Sequence, residues 1–201
     1  MKNKKGKFIV LEGLDGSGKS IQAKLAFDYL KKKGIKAILT KEPTDKPPLG
    51  NLIREVLRKK MKLTSPASFQ LLYSADRAEH LERVIAPALE KGFWVISDRY
   101  YYSTIAYGSL NLDRKWLYAL NESFLVPDKT FIFKVGPQIC LERIRDDGRQ
   151  KEFFEKVAKL KKAWSGYVWC AKKFKEIQMI NGERAIEKIA QDVAREIDKL
   201  L

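Results

Sequence analysis

The stretch Phe8-Ile9-Val10-Leu11-Glu12-Gly13-Leu14-Asp15-Gly16-Ser17-Gly18-Lys19-Ser20 decides how this chain is read. Four apolar residues lead into Gly13–Ser20, a complete G-x-x-x-x-G-K-[ST] loop, and a helical pattern follows. A strand, a glycine-rich turn and a helix start aim backbone N–H groups and a helix dipole at one bound anion. Gly13, Gly16 and Gly18 let the backbone wrap a phosphate without Cβ clashes. Lys19 reaches toward the β- and γ-phosphates, and the Ser20 hydroxyl can join a Mg²⁺ shell. The motif in this setting implies a bound nucleoside triphosphate held by Gly13, Leu14, Asp15, Gly16, Ser17, Gly18, Lys19 and Ser20.

Outward from the loop, apolar runs alternate with helical patterns. Strands are predicted at Lys7–Glu12, Ile35–Thr40, Phe93–Ser97, Thr130–Val135 and Ile177–Ile180. Helix one runs from Lys19 to the Lys33-Gly34 stop signal. The prolines of Lys41–Pro48 forbid a regular element there. A short helix follows, with Leu49, Leu52, Ile53, Val56 and Leu57 on one face. Ser65-Pro66 starts a long helix with a stripe of Leu71, Ala75, Ala78, Leu81, Ile85 and Leu89, continuing to Lys91-Gly92. Further helical patterns lie near 102–108, 113–125, Pro137 to about Arg145, 150–174 and Ile186–Leu201. The alternation predicts an α/β fold, a doubly wound, five-stranded parallel sheet with helices on both faces. Ligands then bind at the carboxyl ends of the strands. No repeat or linker divides the chain, so one domain over 1–201 is expected.

Composition narrows the function. At 201 residues and 45 % apolar, the chain can build a globular core. It shows no stretch long enough for a membrane span and no signal-peptide core after its basic N-terminus, so a cytoplasmic protein is expected. Cys140 and Cys170 lack metal spacing and read as buried thiols. With one histidine, His80, no His-based triad or metal cluster is possible. The net charge of +15 fits polyanionic substrates and solvated helix faces better than nucleic acid, because the basic residues are scattered.

Asp98 ends an apolar run, where a carboxylate can hold Mg²⁺ beside Ser20; Arg99 next to it can clamp a phosphate. Tyr73 and Arg77 share a helix face with His80, opposite much of the apolar stripe. An aromatic plate with a guanidinium one turn on can stack on a base and bond its carbonyl edge. Arg54 is a further phosphate candidate. Arg143, Arg145 and Arg149 straddle Asp146-Asp147-Gly148, where a mobile lid, about 143–152, would lie.

With these residues assembled, the chain resembles the thymidylate kinases, of the nucleoside-monophosphate kinase group. The likeness rests on Leu11–Ser20, Thr40-Lys41-Glu42-Pro43, Leu49-Gly50 with Ile53-Arg54, Leu72–His80, Ile85–Leu89, and Ser97–Tyr100 with Ser103, Ala106 and Tyr107. It implies transfer of the γ-phosphoryl group of ATP to dTMP with Mg²⁺, and a homodimer. By position, Asp15 would meet the deoxyribose 3′-hydroxyl, Tyr73 would stack on thymine and Arg77 would bond its carbonyl. Arg54 and Arg99 would hold the acceptor phosphate, with Ser103 and Tyr107 lining the pocket and Tyr107 crowding a 2′-hydroxyl. Lys19 and the lid arginines Arg149 and Arg145 would stabilise the transferring group, with Arg143 beside ATP and Ser20 and Asp98 at the metal. Position 16 is glycine where one branch of the family carries arginine, so the assisting arginine is expected from the lid. Three departures stand out: Lys41 for arginine, Gly108 where many members carry glutamine, and a short lid before Phe153-Phe154-Glu155.

A GTPase would need an Asn-Lys-x-Asp element, and Asn3-Lys4 is followed by Lys5-Gly6. A nucleic-acid-dependent ATPase would account for the charge but not for Tyr73/Arg77 or Asp98-Arg99-Tyr100. A broader deoxynucleoside monophosphate kinase stays open, as does a deoxynucleoside kinase, which needs a carboxylate base just after strand one, where Glu12 lies.

Overall fold

The computed structural model of the chain describes residues 6–144 and 150–201, except the side chains of 150–155. Five parallel strands form one sheet in the order β2-β3-β1-β4-β5. They are β1 Phe8–Gly13, β2 Ala37–Lys41, β3 Trp94–Asp98, β4 Lys129–Lys134 and β5 Ile177–Asn181. Each lies within two residues of its expected bounds. β1 is buried along its whole length, as a strand covered on both faces must be. The edge strands β2 and β5 are half exposed.

The pleat of β1 sorts its side chains between two cores. Phe8 and Val10 pack with Val95, Ile132 and Tyr102, under helices α5 (Tyr101–Gly108) and α8 (Gln150–Lys173). Ile9 and Leu11 pack with Ile96, Phe131 and Phe133, under α1 (Lys19–Lys32) and α9 (Ile186–Asp198). Ile189, Val193 and Ile197 of α9 repeat every four residues and are all buried. Each such side chain contributes about 1.5–3 kcal/mol. Among the described residues no helix is long and apolar enough to cross a membrane.

The remaining helices are α2 Leu49–Leu57, α3 Pro66–His80, α4 Ala86–Glu90, α6 Arg114–Ala119 and α7 Pro137–Ile144. Three expectations change here. The long helix from Ser65 is not continuous, because a π-helical turn at Leu81–Ile85 joins α3 to α4. Pro87 has no N–H to give the Arg83 carbonyl, and the helix widens just upstream. The helix expected over 113–125 is only α6, started by Asp113, whose carboxylate accepts from the Lys115 and Trp116 N–H groups.

The third change is the orientation of α3. Leu71, Ala75 and Ala78 of its expected apolar stripe are exposed, and Gln70, Ser74, Arg77 and His80 are buried. The inward polar face is satisfied from distant parts of the chain. Arg77 gives Nε to Glu42 (2.8 Å), Nη1 to Asn121 (2.6 Å) and Nη2 to Thr104 (3.2 Å). The His80 ring lies 2.6 Å from Thr40 Oγ1 and 3.1 Å from Glu42 Oε1.

Register sets the strand ends level. Leu11 pairs with Asp98, Lys41 also pairs with Asp98, and Gly13 pairs with Phe133. Glu12, Gly13, Asp98 and Arg99 therefore emerge at one edge. The strand order reverses at β1, the place where open α/β sheets leave a crevice for ligands.

Candidate active site

The loop after β1 carries glycines in the left-handed region, with φ of +82° at Gly16 and +86° at Gly18. At Gly16 a Cβ would stand 2.1 Å from the Cys140 carbonyl oxygen on α7, so any side chain there requires the loop or α7 to move. An arginine at position 16 is thus disfavoured by this packing. At Gly18 the space is open, and only the backbone angle calls for glycine. α1 starts at Lys19 with no side-chain cap and no acid in its first turn. Its first N–H groups are left for a ligand. The Leu14 side chain is buried in the core, so this residue can meet a phosphate only through its backbone.

Lys19 is buried, with Nζ 3.7 Å from Asp15 Oδ1. Burial, and then the Arg99 charge, push its ammonium below the usual lysine range. A bound polyphosphate would add to the counter-charge that Asp15 already gives it. Ser20 Oγ donates to Asp98 Oδ2. The other oxygen of Asp98 is buried without a hydrogen-bond partner. Such an oxygen is costly unless water or a cation feeds it. Ser20 and Asp98 therefore fit a hard divalent cation that takes one or two protein oxygens and completes its shell with water and phosphate. No group of three or more potential ligands gathers among the described residues, so the protein alone does not cage an ion.

Facing the loop, Arg99 sits at the end of β3 with φ of +77°, a strained angle for a residue with a side chain. Its guanidinium donates to Asp15 Oδ1 (2.5 Å), Ser103 Oγ (2.7 Å) and the Tyr167 hydroxyl (3.2 Å). The Tyr107 hydroxyl accepts from the Asp15 N–H (3.0 Å) and donates to Asp15 Oδ2 (3.3 Å). Burial would raise the Asp15 carboxyl, but Arg99 and Lys19 outweigh it and hold the group below its ordinary value.

Glu12 lies beneath this cluster, fully buried. Oε1 accepts from the N–H groups of Tyr100 (2.8 Å) and Ser103 (3.0 Å). Oε2 accepts from Ser103 Oγ (2.6 Å) and the Tyr167 hydroxyl (2.8 Å). Burial raises its carboxyl above the usual range, opposed in part by Arg99 at 3.9 Å and these hydrogen bonds.

Beside the loop, a cleft of about 500 Å³ opens between Gly16–Gln22, Arg143, Gly182 and Arg184. Arg143 is anchored there by two 3.2 Å bonds to the Gly182 carbonyl.

A model of the thymidylate kinase family matches residues 11–193. The chain belongs to this family. It is 40 % identical over 194 residues to the probable thymidylate kinase of Pyrococcus horikoshii, covering 94 % of each chain. It is 38 % identical over 199 residues to the thymidylate kinase of Plasmodium falciparum, covering 98 % of this chain and 92 % of that one. The thymidylate kinase of Caldicellulosiruptor saccharolyticus is 36 % identical over 203 residues, covering 98 % of each.

The fold thus brings Lys19, Asp15, Arg99, Ser103 and Tyr107 into one cluster, with Ser20 against Asp98 and Arg143 at the loop cleft. Arg77 departs from the expected open face. Its guanidinium is buried against the rings of Tyr100 and Phe124 and tied to Glu42. Tyr73 is half-buried against Phe69, with ring centroids 4.8 Å apart, and burial raises its hydroxyl to about 12. Arg54 pairs with Asp45 and donates to the Pro43 carbonyl (3.0 Å). Arg145, Arg149 and half of the expected lid, 145–149, lie outside the described residues.

Two contributors escaped the reading of the sequence. Arg184 follows β5 and walls the cleft beside the loop. Tyr167, from α8, bonds Arg99, Ser103, Glu12 and the Gly13 carbonyl. Beside it, Gly166 seats α8 on α5, where an added Cβ would come within 2.6 Å of Ala106 Cα. A small residue before an aromatic on a charged helix was the available signal.

Proposed function

We propose that the chain transfers the γ-phosphoryl group of ATP to dTMP, giving ADP and dTDP. The observation that carries this reading is Arg99, bonded to Asp15 and Ser103 directly across the strand ends from Lys19. A phosphate acceptor held by Arg99 would face a triphosphate held by the Gly13–Ser20 loop.

An oxygen of the acceptor phosphate attacks the γ-phosphorus, and the bond to the β,γ-bridging oxygen breaks. That attacking oxygen is already anionic, so no base is required and catalysis is positioning plus charge neutralisation. Lys19 lies within 4 Å of Asp15 and buried beside the loop, suited to the charge that develops on the leaving β-phosphate side. Ser20 and Asp98 would hold Mg²⁺, which offsets phosphate charge and fixes the triphosphate geometry. Arg145 and Arg149 are proposed to assist the transferring group.

The neighbouring carboxylates favour a monophosphate over a nucleoside acceptor. Although burial raises the Glu12 carboxyl, each of its oxygens already accepts from two donors, which leaves none turned to a 5′-hydroxyl. Asp15 is held below its ordinary carboxyl value and is a weak base. Tyr107, bonded to Asp15, would crowd a 2′-hydroxyl. The exposed stripe Leu71-Ala75-Ala78 supports a homodimer built on α3. Nucleotide substrates are in keeping with a cytoplasmic protein.

A coupled ADP-release assay with ATP and Mg²⁺ tests the reading against dTMP, dUMP, dCMP, dGMP, dAMP and thymidine. Preference for dTMP is expected. Turnover of thymidine in place of the monophosphates would refute the acceptor assignment.

A further inference from the structure

A polar group at the α3–α5 contact has no task in the reaction as described. Gln70 is 9 % exposed and stands on the buried face of α3, four residues before Ser74 and seven before Arg77. Among the described residues, no hydrogen bond engages its side-chain amide. The amide atoms themselves keep solvent contact, so they are open to water or to a ligand.

The amide end of Gln70 lies over Gly108. A Cβ at position 108 would stand 3.3 Å from Gln70 Cδ, and 2.7 and 2.9 Å from the δ-carbons of Leu117. Glycine at 108 therefore leaves this space to the side chains of Leu117 and Gln70. Gln70, Tyr107, Gly108 and Phe69 line one cavity of about 220 Å³. Two of these walls reach the acceptor cluster. The Tyr107 hydroxyl bonds Asp15, and Phe69 packs on Tyr73. Arg77 bonds Thr104, one helical turn before Gly108 on α5, so it stands in the next layer of the same contact.

We propose that Gln70 is a specificity-determining residue that reads the N3–H and O2 of the acceptor's pyrimidine base through its side-chain amide. The proposal rests on the dTMP reading above. The amide oxygen accepts from N3–H while the amide nitrogen donates to O2, a matched pair. Cytosine offers two acceptors on that edge, so one half of the amide would face a like group. A site built on hydrogen bonds rejects such an analogue strongly.

The test compares the wild-type protein with Q70M, which keeps the volume and removes both polar atoms, and with Q70L as a second apolar variant. Steady-state rates are measured with dTMP, dCMP and N3-methyl-dTMP, alongside melting temperatures and dTMP binding by calorimetry. In both variants kcat/KM for dTMP should fall about 10- to 100-fold, chiefly through KM, with the KM for ATP within about twofold of wild type. The dTMP/dCMP ratio should fall by a similar factor, and the wild-type penalty against N3-methyl-dTMP should close. A wild type active on dTMP, with variants that keep its KM and its discrimination, overturns the proposal alone. A wild type that phosphorylates no pyrimidine monophosphate overturns the acceptor reading, and the proposal with it.

Discussion

Replacing Gly16 and Gly18 separately by alanine separates backbone strain from packing in the phosphate loop. Both glycines have left-handed φ, +82° and +86°, so both alanines incur about 1–2 kcal/mol of strain. Only the alanine at 16 meets another element. Its Cβ would lie 2.1 Å from the Cys140 oxygen, and 2.8 Å and 3.0 Å from that residue's C and Cα. These are backbone atoms of α7, which cannot swing aside like a side-chain tip. The loop or α7 must move by about an ångström, adding roughly 1–3 kcal/mol of overpacking. The total for Gly16→Ala is about 2–5 kcal/mol, and a domain of this size loses roughly 2–4 °C of melting temperature per kcal/mol. Thermal melts and titration with a fluorescent ATP analogue provide the readout. Gly16→Ala should lose about 1.5 to 4 times the melting temperature lost by Gly18→Ala. It should also weaken nucleotide binding further, because a displacement of this size in a positioning element can cost about 10²-fold. Equal losses in the two variants would refute the close contact between the loop and α7.

Glu42→Ala should lower stability by about 3–5 kcal/mol in urea melts, because it leaves the buried Arg77 charge without its partner and removes a contact to His80. Leu71→Arg, on the exposed stripe of α3, should convert a dimer to a monomer in light scattering; a dimer of unchanged mass would place the interface elsewhere. Asp15→Asn tests linkage. The Asp15 carboxyl is lowered in the folded state, so its contribution is present above the unfolded value of 3.8 and disappears as pH falls through the lower folded value. The stability gap between wild type and Asp15→Asn should thus be steady from about pH 5 to 7 and close in acid, whereas a gap that widens in acid would contradict the assignment. Asp98→Asn should raise the Mg²⁺ concentration needed for half-maximal rate, since a neutral amide replaces the buried unpaired carboxylate oxygen.

The sheet was legible because its evidence is local. Phe8–Leu11 and Phe93–Ile96 are continuous apolar runs, and a strand buried on both faces has that form. The phosphate loop was legible because its glycines, lysine and serine sit at fixed spacing. The orientation of α3 was not, since the rule that apolar faces turn inward fails when polar partners wait inside. Those partners, Glu42, Thr104 and Asn121, come from three other segments, and nothing in Gln70–His80 announces them. Tyr167 was hidden for the same reason, being over 150 residues in sequence from the Gly13 carbonyl it meets. Arg184 lacked any periodic signal, because it lies in the short turn after β5.

The seat of Gly166 on Ala106 and the hydroxyl of Tyr167 together fix α8 to α5 and to the Arg99 cluster. The helix starts at Gln150, seventeen residues before that point, a lever of about 25 Å at 1.5 Å per residue. Along that arm Val157, Leu160 and Ala163 are buried in the core, so the arm is held in register with the seat. A side chain at position 166 would therefore act at a distance, lifting the arm from its core contacts and loosening the Tyr167 hydroxyl from Arg99 in one displacement.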